Sequence, residues 1–282
     1  MHRTLLPFFF ASTLPLLAND TSLHDGRFGP EPLNGVESPV AMVAEHIEVG
    51  FGYRDTEVHC TFTFRNTLAD RPVEQLVGFP DIGAAVDFLA RDEKPDDYSV
   101  REDVNTSPIR KMRTFVDGRR VRSELKIVAA KPDHNPDGTA VWSLDKRRGF
   151  RAWHTVRVSF PAGKNVTIER IYTVQNGTSA LGVAFFHYTT ATGAVWQGKI
   201  GRLQADVTLR DGLTVDQLIW PGMKPAADRL SGEDAKYATN PTRKSWQALD
   251  AKHLRLVWTD FEPRTEKSHR GFSLSRRFHG WN

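Results

Sequence analysis

Val58-His59-Cys60-Thr61-Phe62-Thr63-Phe64 alternates apolar and polar side chains with a period of two, and that alternation decides the fold. Successive side chains of an extended chain point to opposite faces, so Val58, Cys60, Phe62 and Phe64 share one face to be buried. The same pattern recurs at Ile47–Phe51, Val156–Phe160, Leu203–Leu209 and Leu254–Trp258, with Thr, Arg, Glu or Gln in the outward phase. Strands with one buried face belong to antiparallel sheets rather than to a doubly covered parallel sheet.

The turns point the same way. Asp117-Gly118 lies between two extended runs and is a strong hairpin signal, because glycine accepts positive φ at no steric cost. Pro161-Ala162-Gly163-Lys164 and Arg210-Asp211-Gly212 punctuate the later strands. Helical pattern is scarce, with short turns expected within Ile82–Ala90 and Ala226–Ala238 and an exposed polar excursion over Arg91–Pro108. The expected class is therefore all-β, an antiparallel β-sandwich architecture in two β-rich domains. A division within Gln175-Asn176-Gly177-Thr178-Ser179 gives an N-terminal β-sandwich domain at 19–175 and a C-terminal β-rich domain at 176–282.

Residues 1–18, MHRTLLPFFFASTLPLLA, read as a signal peptide: His2 and Arg3, an apolar run from Leu5 to Leu17, then the small Ala18 before polar Asn19-Asp20-Thr21-Ser22. The run is shorter than the ~20 apolar residues that span a bilayer, and no second long apolar segment follows. The expected product is periplasmic or secreted after cleavage near Ala18, without a transmembrane segment. Cys60 is the single cysteine, so no intrachain disulfide forms, and its inward phase makes it a small buried hydrophobe. The formal net charge is +4, and losing Arg3 with the leader leaves +3. The basic clusters Arg119-Arg120-Val121-Arg122, Lys146-Arg147-Arg148 and Arg276-Arg277 lie in or beside turn signals and read as solvated faces, or as contacts for an anionic partner. No nucleic-acid motif is present.

Two stretches carry a family resemblance. The first comprises Asn19–Ser22, Met42, Glu45–Val49 and Val58–Thr67, ending in Val77-Gly78-Phe79-Pro80. The second is Thr189–Gly201, with Thr192-Gly193-Ala194-Val195-Trp196-Gln197-Gly198-Lys199-Ile200. Together with Val116-Asp117-Gly118 and Arg170-Ile171-Tyr172, they resemble the bacterial exported family known as domain of unknown function 4424. That family has a Phe-Arg-Asn-Thr strand end, a strand closing in Phe-Pro and a Thr-Gly-x-x-Trp-x-Gly-x-Ile element. The resemblance implies an exported β-rich protein of the bacterial cell envelope and brings no catalytic residues with it.

Candidate chemistry is sparse. Large aromatics either fill a core or offer flat platforms to sugars. Trp258 shares the inward phase of its strand and is expected in the core. Trp196 admits two readings, a structural indole under a glycine-rich corner or a ligand platform built with His187 and Tyr188. Asp133-His134-Asn135-Pro136-Asp137-Gly138 fits the first half of a calcium loop, with Asp133, Asn135 and Asp137 as oxygen ligands. Its second half fails, since Leu144 stands where a bidentate Glu belongs. None of the histidines has zinc-ligand spacing, His59 and His154 are expected to be exposed or partly satisfied, and Gly-x-Ser-x-Gly is absent. Glu169 and Asp206 lie on outward phases without a pairing argument. The expectation is a non-catalytic binding or assembly module, more readily non-enzyme than enzyme, with an envelope protein or glycan as partner and calcium as the sole candidate cofactor. The rivals are a hydrolase of envelope polymer or glycan with its site near Trp196, and a calcium-stabilised adhesion-type domain.

Overall fold

The computed structural model describes residues 17–18, 21–26, 29–32, 38–81, 109–129, 133–134, 140–141, 150–178, 182–219, 246–262 and 271–277. Their regular structure is strand, apart from 3₁₀ turns at Ala191–Val195 and Val215–Gln217. The expected turns at Ile82–Ala90 and Ala226–Ala238, the excursion at Arg91–Pro108, and the Lys146 cluster lie outside the described residues.

One sheet has eight strands, in the order β17 (Trp246–Ala248), β18 (His253–Phe261), β16 (Ile200–Leu209), β4 (Val40–Phe51), β5 (Asp55–Asn66), β13 (Asn165–Gln175), β7 (Ile109–Val116) and β8 (Arg119–Val121). Its ladders are antiparallel except β16–β4, which runs parallel from Arg202↔Ala44 to Leu209↔Phe51. The second sheet has nine strands along β14 (Gly177–Thr178), β15 (Val183–Thr189), β1 (Leu17–Ala18), β6 (Val73–Asp81), β12 (Phe150–Phe160) and β9 (Glu124–Ala129). There β19 (Gly271–Arg277) pairs with β15, β2 (Thr21–Gly26) with β6, and β3 (Gly29–Pro32) with β2. A separate ribbon joins β10 (Asp133–His134) to β11 (Ala140–Val141).

A single apolar core runs between the two large sheets. Phe62, Phe64, Ile168, Val174, Leu203 and Leu256 from the first meet Phe79, Phe160, Phe186 and Phe272 from the second. The fold is thus an all-β sandwich, as the alternation predicts. Cys60 is buried, and Trp258 lies in the core. Asp117 and Gly118 both take positive φ, 47° and 74°, closing the β7–β8 hairpin. Pro161-Ala162-Gly163-Lys164 does something a hairpin does not: it carries the chain from β12 in one sheet to β13 in the other.

Two expectations need correcting. The division at 175/176 falls inside both sheets, because β16 and β18 extend β4 while β15 joins the sheet of β6 and β12. Arg276 does not lie on a solvated face. It is 1% exposed, its Nη2 donates to the Tyr53 carbonyl at 2.5 Å, and its guanidinium lies 4.2 Å from the Tyr53 ring centre. Of the two states expected for His154, exposed or partly satisfied, the structure shows the second: it is buried, with Nε2 3.1 Å from Asp81 Oδ2. No helix among the described residues is long and apolar enough to cross a membrane.

Candidate functional site

Trp196 follows the 3₁₀ turn Ala191–Val195, where its N–H donates to the Gly193 carbonyl at 3.2 Å. The indole is 1% exposed, with ring centres 4.5 Å from Phe64 and 6.4 Å from Phe160. Beside it, Gln197 N–H donates to the Val40 carbonyl and Thr67 Oγ1 donates to Gln197 Oε1 at 2.5 Å. Asn66, fully buried, donates to the carbonyls of Arg71 and Phe160 and accepts from Leu68 N–H. The Phe64–Thr67 and Thr192–Gly198 stretches therefore clamp each other, and Trp196 is a structural indole rather than a platform.

His187 and Tyr188 are neighbours on β15, so their side chains leave opposite faces. Tyr188 enters the core, donating to Glu45 Oε1 at 2.7 Å with Cys60 Sγ 3.6 Å away. His187 points outward, with Nδ1 2.7 Å from Ser273 Oγ, and burial lowers its pKa to about 4. The structure does not bring His187, Tyr188 and Trp196 around one open site, which removes the location expected for a hydrolase. Of the calcium candidates, Asp133 is described in β10, while Asn135 and Asp137 lie outside the described residues. Among the described residues no three His, Cys, Asp or Glu side chains stand together at metal-holding distance.

Two polar constellations emerge instead. The first lies between the sheets: Glu45, Cys60, Arg170 and Tyr172, with Tyr188, Asp81 and His154 on the facing sheet. Arg170 Nη1 donates to Thr114 Oγ1 at 2.8 Å, and its guanidinium stands 6.0 Å from the Phe79 ring centre. Burial, followed by the nearby Cys60, raises the pKa of both Tyr172 and Tyr188. An interior of this kind holds charge only where hydrogen bonds replace hydration. The available sequence signal was phase: Arg170 alternates with Val166, Ile168, Tyr172 and Val174, and Glu45 with Ile47 and Val49.

The second covers the outward face of β18, β16, β4, β5 and β13. Asp206 Oδ1 accepts from Arg255 Nε at 2.6 Å, while Oδ2 lies 2.8 Å from His46 Nε2 and accepts from Gln204 Nε2 at 2.6 Å. Burial opposes its ionisation, but those three hydrogen bonds prevail and its pKa is lowered. His59 is held on both sides, Nδ1 3.1 Å from Glu48 Oε2 and Nε2 3.0 Å from Glu169 Oε2. Register explains the assembly, since Asp206 stands opposite Arg255 and Glu48, and Glu48 opposite His59. At the strand ends Arg210 bonds Asp55 at 2.9 Å and Glu57 at 2.8 Å. The result is a broad, half-exposed surface of ordered opposite charges. Glu169 and Asp206 were visible as outward acids in the sequence, but their partners come from other strands.

This architecture defines a class, β-sandwich proteins with a polar sheet face. No known protein-family profile and no curated protein matches the chain. Among solved structures it is similar to a Legionella pneumophila protein provisionally named a nutrient-binding protein, with TM-score 0.57, 18% identity, and coverage of 93% of this chain and 71% of that one. At that identity the likeness is one of fold. An M1 zinc metallopeptidase of Deinococcus radiodurans gives TM-score 0.36 at 9% identity, with 84% of this chain set against 42% of that one.

Proposed function

We propose that the chain is an exported, non-catalytic binding or assembly module of the bacterial cell envelope, of the kind the resemblance to domain of unknown function 4424 implies. The observation that carries the reading is the outward face built by His46, Glu48, His59, Glu169, Asp206 and Arg255, whose donors and acceptors are held in fixed register on rigid strands. Such a surface suits a polar protein or glycan partner, because preset groups lose little freedom on binding. The leader-like residues 1–18 and the provisional name of the Legionella fold relative support the same reading.

The test has two arms. Expressed with its own N-terminus in a Gram-negative host, the protein is expected in the periplasmic extract, with intact mass placing its start at Asn19. The purified product is then passed over immobilised envelope glycans and envelope proteins beside the His46→Ala/His59→Ala/Asp206→Asn variant. Retention lost in the variant, with the bound material recovered intact, supports the module. Recovery of shortened glycan or polymer would support the hydrolase, and equal retention of the variant would remove the face from the argument.

A further inference from the structure

We infer that the β7–β8 hairpin is a docking surface for an anionic phospholipid membrane. On the outward face of the eight-stranded sheet two arginines are held by carboxylates: Arg255 by Asp206, and Arg210 by Asp55 and Glu57. At its edge the pattern reverses. Arg110, Lys111, Arg113, Arg119, Arg120 and Arg122 are all exposed, and none has a carboxylate within ion-pair distance among the described residues. Arg110 reaches only the neutral Gln175, at 3.4 Å. The one acid in the turn, Asp117, is engaged by Thr167 N–H at 2.8 Å.

Six cations without a carboxylate partner among the described residues, gathered on one ribbon in a chain whose whole formal charge is +4, make a local field far stronger than the composition suggests. Five of them are arginine, whose planar fork matches phosphate oxygens and whose stem lies easily against acyl chains. Three residues beyond Arg122, where the chain enters β9 of the other sheet, Leu125 is 44% exposed, one of the few exposed large apolar side chains among the described residues. A basic ribbon bordered by an exposed apolar residue is the composition of interfacial membrane contacts. Charged edge strands also discourage pairing with other chains. That role predicts an effect on self-association and none on lipid binding. The hairpin lies at the edge beyond β13, so the inference stands independently of the β16–β4–β5 face.

The experiment is vesicle co-sedimentation of the full chain. Vesicles of mixed phosphatidylcholine and phosphatidylglycerol are expected to carry it down at low salt and release it as salt rises to about 0.5 M, where charges are screened within a few ångströms. Neutral phosphatidylcholine vesicles should retain little. Arg119→Glu/Arg120→Glu/Arg122→Glu should bind about 100-fold more weakly, at about one order of magnitude or less per basic residue. Lys199→Glu/Lys252→Glu/Arg54→Glu makes the same change in net charge elsewhere and should stay within about 3-fold. Thermal melting checks that both variants fold. Equal loss in the two variants, equal binding to neutral and anionic vesicles, or arginine-dependent binding to heparin without binding to vesicles would each overturn the inference.

Discussion

Trp196 fills the space between Phe64 and Phe160, so replacing it with alanine removes a fully buried indole and leaves a void between two sheets that cannot close over it. Trp196→Ala should cost about 3–5 kcal/mol in denaturant unfolding, without the loss of binding that a platform role would bring. His187 makes a sharper prediction because burial lowers its pKa from 6.5 to about 4. The unfolded chain takes up that proton at higher pH than the folded chain does, so stability falls as pH drops from about 6.5 to about 4 and is fully retained above that window. The linked loss approaches about 3 kcal/mol. His187→Gln, which keeps a group able to bond Ser273, should flatten this part of the pH profile of the urea midpoint. An unchanged slope would mean that another group governs it. Neither role was visible in residue type alone, since a tryptophan among glycines and a histidine beside a tyrosine look equally suited to a ligand.

At the scale of elements, the register of β4 and β16 depends on a close backbone approach. A β-bulge interrupts β4 between Met42 and Ala44, and a Cβ added at Gly201 would lie 2.5 Å from the Val43 carbonyl oxygen. Backbone cannot yield as a side-chain end can, so Gly201→Ala should cost about 3 kcal/mol. Gly198→Ala, at φ +67° with open space around its Cβ, should cost only about 1 kcal/mol. Unfolding midpoints of the two variants compare steric contact with conformational cost, and equal values would count against the contact. Strands β4, β5, β12, β16 and β18 were legible from alternation, the Asp117-Gly118 turn from its residue types, and the core positions of Cys60 and Trp258 from their phase. Partnership was not. Nothing local in Ile200–Leu209 announces that it lies parallel to Val40–Phe51, or that Pro161–Lys164 changes sheets, because period two reports a face and carries no address. Arg276, read as part of a solvated face, is a residue whose charge argued outward while its place in the strand argues inward, and Arg170 carries the same conflict.

At the scale of the molecule, long-range pairing makes the chain one cooperative structure despite the loop-like composition around Asn176. Removing residues 176–282 would strip β16 from β4 and expose Ile47, Val49 and Phe51 where Ala205, Val207 and Leu209 now share their core. It would also leave β4 with a long unpaired edge, the feature that promotes association between sheets. On the other sheet β15 would be lost, and with it the hydroxyl by which Tyr188 donates to the buried Glu45 carboxylate. A fragment of residues 19–175 should therefore lack a cooperative thermal transition, bind an apolar dye, and show little amide protection in β4 and β5. The full chain should unfold in one transition by near- and far-ultraviolet circular dichroism. A cooperative fragment with the midpoint of the full chain would show that the 175/176 division separates two folding units after all. The shared core argues against that outcome, because the apolar surface that closes each half is contributed by the other.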